Sequence, residues 1–104
     1  MSEYKPIEAC TSVAELLADP ARWTKDYSAV DDRGFMVEPD DEAACAFCIC
    51  GAIQRVYGHD GYDANYEKIR KSISIPGRRL VAWFNDAPER THAEVLEAVR
   101  KAGI

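Results

Sequence analysis

Ala43-Ala44-Cys45-Ala46-Phe47-Cys48-Ile49-Cys50-Gly51-Ala52-Ile53 holds three of the chain's four cysteines and no charged side chain. Such a run is either the element around which everything else packs or the seat of thiol chemistry. Positions 44, 45, 48, 49, 52, 53 and 56 make a continuous stripe of Ala, Cys, Ile and Val at helical spacing. That spacing predicts a central helix from about Asp41 to Tyr57, stopped by Gly58. Gly51 costs about 1 kcal/mol against alanine inside a helix, so a close helix crossing is the expected reason for it. Free cysteine is among the most buried residue types and packs as a small hydrophobe. The three thiols are therefore expected to be inert filling.

Metal and thiol chemistry are the competing readings. Cys45-x2-Cys48-x-Cys50 has a metal-like look, with Cys10 or His59 as a fourth ligand. Structural zinc, however, draws its ligands from knuckles rich in turn-forming residues, and the flanks here are Ala, Phe and Ile. On a helix Cys50 also points away from Cys45. A nucleophilic cysteine needs a nearby histidine, cation or helix amino terminus. Only His59 and His92 are present, and neither is tied to a cysteine by a motif; His92 reads as a surface residue. No metal, cofactor or catalytic residue is expected.

Outward from the centre, Ser12 and Glu15 form a capping-box start for a helix reaching about Ala18, ahead of Asp19-Pro20. Tyr27, Ala29, Phe35 and Val37 recur by twos around Asp31-Asp32-Arg33-Gly34, predicting a small hairpin over 25–38. The acids of Glu38-Pro39-Asp40-Asp41-Glu42 would complement the positive end of the central helix. Beyond a loop holding His59, Asp60 and Gly61, a third helix is expected from about Asp63 to Ser72, with Tyr66, Ile69 and Ile73 inward. Pro76-Gly77 punctuates, a short apolar element covers Arg78 to Phe84, and Thr91-x-x-Glu94 caps a last helix facing inward with Val95, Leu96 and Val99. The fold class is α+β, mainly α: four to five short helices around a central apolar helix, with one small β-hairpin, in a single domain over residues 1–104.

Composition bounds the function. No apolar run approaches the roughly 20 residues needed to cross a bilayer, and the amino terminus lacks a secretory pattern, so a cytoplasmic protein with reduced thiols is expected. Residues 1–63 carry 13 acids and 5 bases, a net of −8, whereas residues 64–104 carry 5 acids and 8 bases, a net of +3. A pI near 5 argues against a nucleic-acid partner, which needs clustered Lys and Arg. The local basic group Lys68, Arg70, Lys71, Arg78 and Arg79 reads as a solvated face. The richest connector is Trp83-Phe84-Asn85-Asp86-Ala87-Pro88-Glu89-Arg90-Thr91, and connectors held by rigid elements tend to carry sites. The opposing reading makes Asn85 and Asp86 helix caps or an Asx turn and pairs Arg90 with Glu94.

Trp23-Thr24-Lys25, Asp32-Arg33-Gly34, Cys48-x-x-Gly51-Ala52-Ile53 and Phe84-Asn85-Asp86-Ala87-Pro88-x-Arg90-Thr91-x-x-Glu94-Val95 occur in that order. Over about residues 11–102 the chain resembles a family of short bacterial and phage proteins defined only as a domain of unknown function. The resemblance picks out Cys48 and Gly51 and leaves Cys45 and Cys50 incidental. Where that family commonly has Gly after Trp-Thr-x, this chain has Asp26. The resemblance carries over no catalytic residue. The expected function is a non-enzymatic accessory module that binds a protein partner, in a phage or mobile-element setting, with Trp23, Trp83, Asn85, Asp86 and Arg90 as contact residues. The alternative is a small ligand-binding or enzymatic domain whose pocket those five residues line. A weaker one is an acidic inhibitor of a DNA-binding enzyme.

Overall fold

The computed structural model describes residues 3–73 and 81–104. Its fold is α+β and mainly helical. A 3-10 turn at Ile7–Ala9 precedes α1 (Val13–Leu16), and a second at Pro20–Arg22 leads to β1 (Ala29–Val30) and β2 (Ala46–Phe47). The long helix α2 (Ile49–Ile73), α3 (Val81–Asp86) and α4 (His92–Ala102) complete the chain. Helix α2 is the hub against which α1, α3 and α4 all pack. Phe47, Ile49, Ile53 and Ile69 from the β2–α2 segment meet Leu16, Val81, Val95 and Val99 in a core closed to solvent.

The hairpin forms where the period-2 spacing placed it. Asp31 N–H donates to Phe35 O (2.9 Å) and Val37 N–H to Ala29 O (3.1 Å), with Val30 facing Met36. Asp31 sets the turn, its carboxylate accepting from the N–H groups of Arg33 and Phe35. On the other side of β1 lies β2, antiparallel, with Ala29 opposite Phe47 and Val30 opposite Ala46.

That pairing corrects the expected start of the central helix. Ala43–Cys48 is not helical: Cys45 N–H donates to Val30 O, Cys48 N–H to Ser28 O, and Phe47 O accepts from Thr24 N–H. The backbone is zipped to its neighbours on both sides, and the helix begins only at Ile49. A short apolar run has no period that separates a buried strand from a buried helix, and here cross-strand bonding wins. The acidic connector accordingly lies well before the helix end it was expected to complement. Asp41 caps a turn by accepting from Ala43 N–H (2.8 Å), and Arg55 clamps the connector through the carbonyls of Pro39 (2.8 Å) and Asp41 (2.9 Å).

Gly58 interrupts the helix where a terminal glycine was expected, and a second helical arm follows it directly. Its φ of +70° and ψ of −171° lie in a region essentially reserved for glycine, so one residue absorbs the turn and no loop at 59–61 is needed. Ile69 on the distal arm is buried and Tyr66 and Ile73 pack beside it, as their spacing predicted. Of the expected Arg78–Phe84 element, 78–80 fall outside the described residues, as does Pro76-Gly77; from Val81 onward the chain is helical.

Both expected caps are present. Ser12 accepts from Glu15 N–H, although α1 stops at Leu16 rather than Ala18, and the Glu15 carboxylate reaches Thr11 instead of the cap residue. The Lys5 ammonium and the Thr11 groups hold Glu15 down to a pKa of about 2. Thr91 and Glu94 complete a reciprocal capping box at α4. Val95 and Val99 are buried there, whereas Leu96 is only half-buried.

Gly51 does mark a close approach, but to backbone rather than to a helix. A Cβ at this position would lie 1.8 Å from the carbonyl oxygen of Ser28. Because the obstacle is main chain next to β1, nothing flexible can move aside. Gly51→Ala is expected to destabilise the fold by about 3 kcal/mol, the upper range for overpacking, read as a lowered denaturant midpoint; an unchanged midpoint would show that β1 does not press on α2.

Candidate functional site

Asn85, at the carboxyl end of α3, is completely buried. A primary amide offers two acceptor lone pairs and two donor hydrogens, and all four are used. Asn85 Oδ1 accepts from Trp23 Nε1 (2.8 Å) and from Ile49 N–H (3.1 Å), while Nδ2 donates to Thr24 O (3.0 Å) and Asp86 Oδ1 (2.8 Å). The residue ties the Trp23-Thr24 segment, the first turn of α2 and the end of α3 at one point. Among the described residues no buried side-chain polar atom lacks a partner.

Asp86 extends the knot by accepting from Asp26 N–H (2.9 Å). Asp26 stands at φ +74°, in the left-handed region that favours glycine. The Asp in place of the expected Gly thus keeps the left-handed turn, held by a carboxylate from α3. Lys25 closes the same seam, its Nζ donating to Ala87 O (2.8 Å) and Pro88 O (3.2 Å). His92 is not a free surface residue: its ring lies 6.2 Å from that of Trp23, and its Nε2–H donates to Leu17 O (2.6 Å).

Of the five residues singled out from the sequence, Trp23, Asn85 and Asp86 converge. Arg90 is engaged in the adjoining layer, with Nε on Phe84 O (2.8 Å), its guanidinium 3.9 Å from the Phe84 ring centre, and Nη1 3.3 Å from Glu94. Trp83 turns outward and is 60% exposed. The polar atoms of Asn85 are thus consumed in holding elements together. An open depression among the described residues lies elsewhere, about 410 Å³ lined by Gln54, His59, Tyr62 and Asp63.

The thiols divide. Cys48 is buried as expected and caps α2, its Sγ accepting from Gly51 N–H at 3.3 Å. Its hydrogen bond to Cys50 and its burial push its pKa far up. Cys50, read from the sequence as incidental filling, is only half-buried. The neighbouring Cys48 thiol and, more weakly, the Tyr62 hydroxyl draw its pKa down against the effect of burial. Cys10 and Cys45 are pushed up, chiefly by burial. Sequence reasoning missed the Cys48 cap because a helix starting at Asp41 would put that residue mid-helix. With the helix starting at Ile49, Cys48 becomes the cap and Cys50 sits in the first turn. Among the described residues no group of three or more His, Cys, Asp or Glu side chains is placed to hold a metal ion.

Fold and site together define a small α+β, mainly helical domain organised around a buried amide tie at the first turn of its central helix. The chain belongs to a family of unknown function (DUF6197), which matches residues 1–103. No curated protein and no solved structure matches it.

Asn85→Ala strands the Trp23 indole N–H and the Ile49 N–H in the interior. At about 1–3 kcal/mol for each of these two buried groups left unsatisfied, the variant is expected to lose roughly 2–6 kcal/mol in chemical denaturation. A loss below about 1 kcal/mol would show that water replaces the amide.

Proposed function

We propose that this chain is a non-enzymatic module that binds a protein partner through the tip of its hairpin. The observation that carries the reading is the pair Phe35 and Met36, which are 65% and 69% exposed on a turn fixed by Asp31. Large apolar side chains held outward by a rigid hairpin are typical anchors for a partner's pocket. Residues 31–42 surround them with Asp31, Asp32, Glu38, Asp40, Asp41 and Glu42 against one base, Arg33. A matching partner therefore presents an apolar pocket rimmed by Lys and Arg, and the carboxylates would speed its approach. The resemblance noted above favours a phage or mobile-element setting. Trp23, Asn85, Asp86 and Arg90, the contact residues expected from sequence, act in this reading by fixing the scaffold behind the hairpin; Trp83 is a further outward-facing side chain.

No helix among the described residues is long and apolar enough to cross a membrane. The acidic inhibitor of a DNA-binding enzyme is a special case of the same reading, since such an enzyme has a basic cleft.

The double variant Phe35→Ser, Met36→Ser is expected to keep its circular dichroism spectrum and melting temperature. In affinity purification from the native host it should lose a protein that the unaltered chain retains, and that association should weaken with salt. Retention of the same proteins by the variant would reject the hairpin as the contact surface.

A further inference from the structure

We infer that the hollow beside the Gly58 kink is a binding site for a small organic cation, an alkylammonium ion seated against the Tyr62 ring and the Asp63 carboxylate. This goes beyond partner binding through the hairpin and does not depend on it.

The kink builds the site. Gln54 comes from the arm of α2 before Gly58, and His59, Tyr62 and Asp63 come from the arm after it. Together they line a volume of about 410 Å³, within the range that holds a small ligand. A Cβ on Gly58 would meet nothing within 4 Å, so the space beside the kink is open. The walls are set by groups behind them. A Cβ on Gly61 would come 2.9 Å from Tyr57 Cβ, and its absence lets the second arm lie close to the first. Asn65, 9% exposed, donates through Nδ2 to Gly61 O (2.8 Å) and pins the same turn. The Tyr62 ring stacks on that of Tyr66, with centroids 5.9 Å apart and planes inclined by 23°. Walls fixed before a ligand arrives lower the ordering cost of binding.

The lining chemistry selects a cation. Neither Lys nor Arg lines the hollow, so an anion finds no charged partner there. The Asp63 side chain is exposed, and a carboxylate only accepts hydrogen bonds. Gln54 donates through Nε2 to Asp40 Oδ2 (3.2 Å), which leaves its Oε1 as the group it can offer. A neutral imidazole at His59 adds an acceptor nitrogen, and the face of a tyrosine ring attracts cations. A bare metal ion does not fit, because among the described residues no group of three or more His, Cys, Asp or Glu side chains is placed to hold one. The occupant is therefore organic, with its ammonium N–H groups toward Asp63 and Gln54 and its carbon chain against Tyr62.

Titration of the full-length protein with butylammonium, followed by amide shifts in NMR at mildly alkaline pH, tests this. The amides of Gln54, His59, Tyr62 and Asp63 should move together with a dissociation constant on the order of 1 mM, while those of the core residues Leu16 and Val95 stay in place. Butyrate and butanol, of matching size, should shift them far less. Intermolecular nuclear Overhauser effects should join the butyl chain to the Tyr62 ring. Asp63→Asn should weaken butylammonium binding about twofold to fivefold. Asp60→Asn, exposed but outside the lining, should weaken it less. Lining amides unmoved by butylammonium at about 10 mM, tenfold above the expected constant, would overturn the site. So would equal shifts with butyrate, or an Asp63→Asn variant that binds as well as the unaltered chain.

Discussion

The side-chain amide of Asn85 is the constraint on which the rest of this structure turns. It accepts from Trp23 and Ile49 and donates to Thr24 and Asp86, so three stretches far apart in sequence are fixed by one group. A buried hydrogen bond contributes only about 1 kcal/mol net, but an abandoned donor costs about 1–3 kcal/mol. The knot therefore acts mainly by making alternatives expensive. Aspartate would lack the two donors, alanine would lack everything, and glutamine would place its amide one methylene too far.

The knot also decides where the central helix starts. Ile49 N–H, a helix-terminal donor with no intrahelical acceptor, finds one in Asn85; Cys48 caps Gly51; and the backbone of Cys45, Phe47 and Cys48 just upstream is bound to Val30, Thr24 and Ser28. That junction holds Gly51 against Ser28 and supports β1 as it carries the hairpin outward. Scaffold and exposed tip are consequences of one boundary between extended and helical backbone. The side chains that looked most like a site are largely occupied in maintaining it, which is why the exposed apolar pair at 35–36 is the better place to seek a partner.

Much of the fold was legible beforehand. Ser12 and Thr91 announced their helices because capping is local chemistry, and the hairpin was visible in the spacing of Ala29, Phe35 and Val37 around Asp31 and Gly34. Gly51 correctly signalled a close approach, though not to what. The helix start was misplaced because Ala43–Cys48 fits either period and is decided by partners at Ser28, Val30 and Thr24, which no local pattern reveals. Gly58 was read as a stop and does interrupt the helix, but the sequence did not show that a second arm resumes at once without a loop. At the candidate site, the convergence of Trp23 with Asn85 and Asp86 was anticipated, but their use as ties was not, because hydrogen bonds spanning some 60 residues leave no mark on spacing.

Amide hydrogen exchange by NMR tests the central claim most directly. The Trp23 indole N–H and the Ile49 backbone N–H should exchange only through global unfolding, with the same protection as Ile53 and Ile69 in the core, and the Asn85 side-chain protons should be similarly slow. If the Trp23 indole hydrogen exchanges as fast as an exposed indole while the core amides remain protected, the amide of Asn85 does not hold these elements together and the account built on it is wrong.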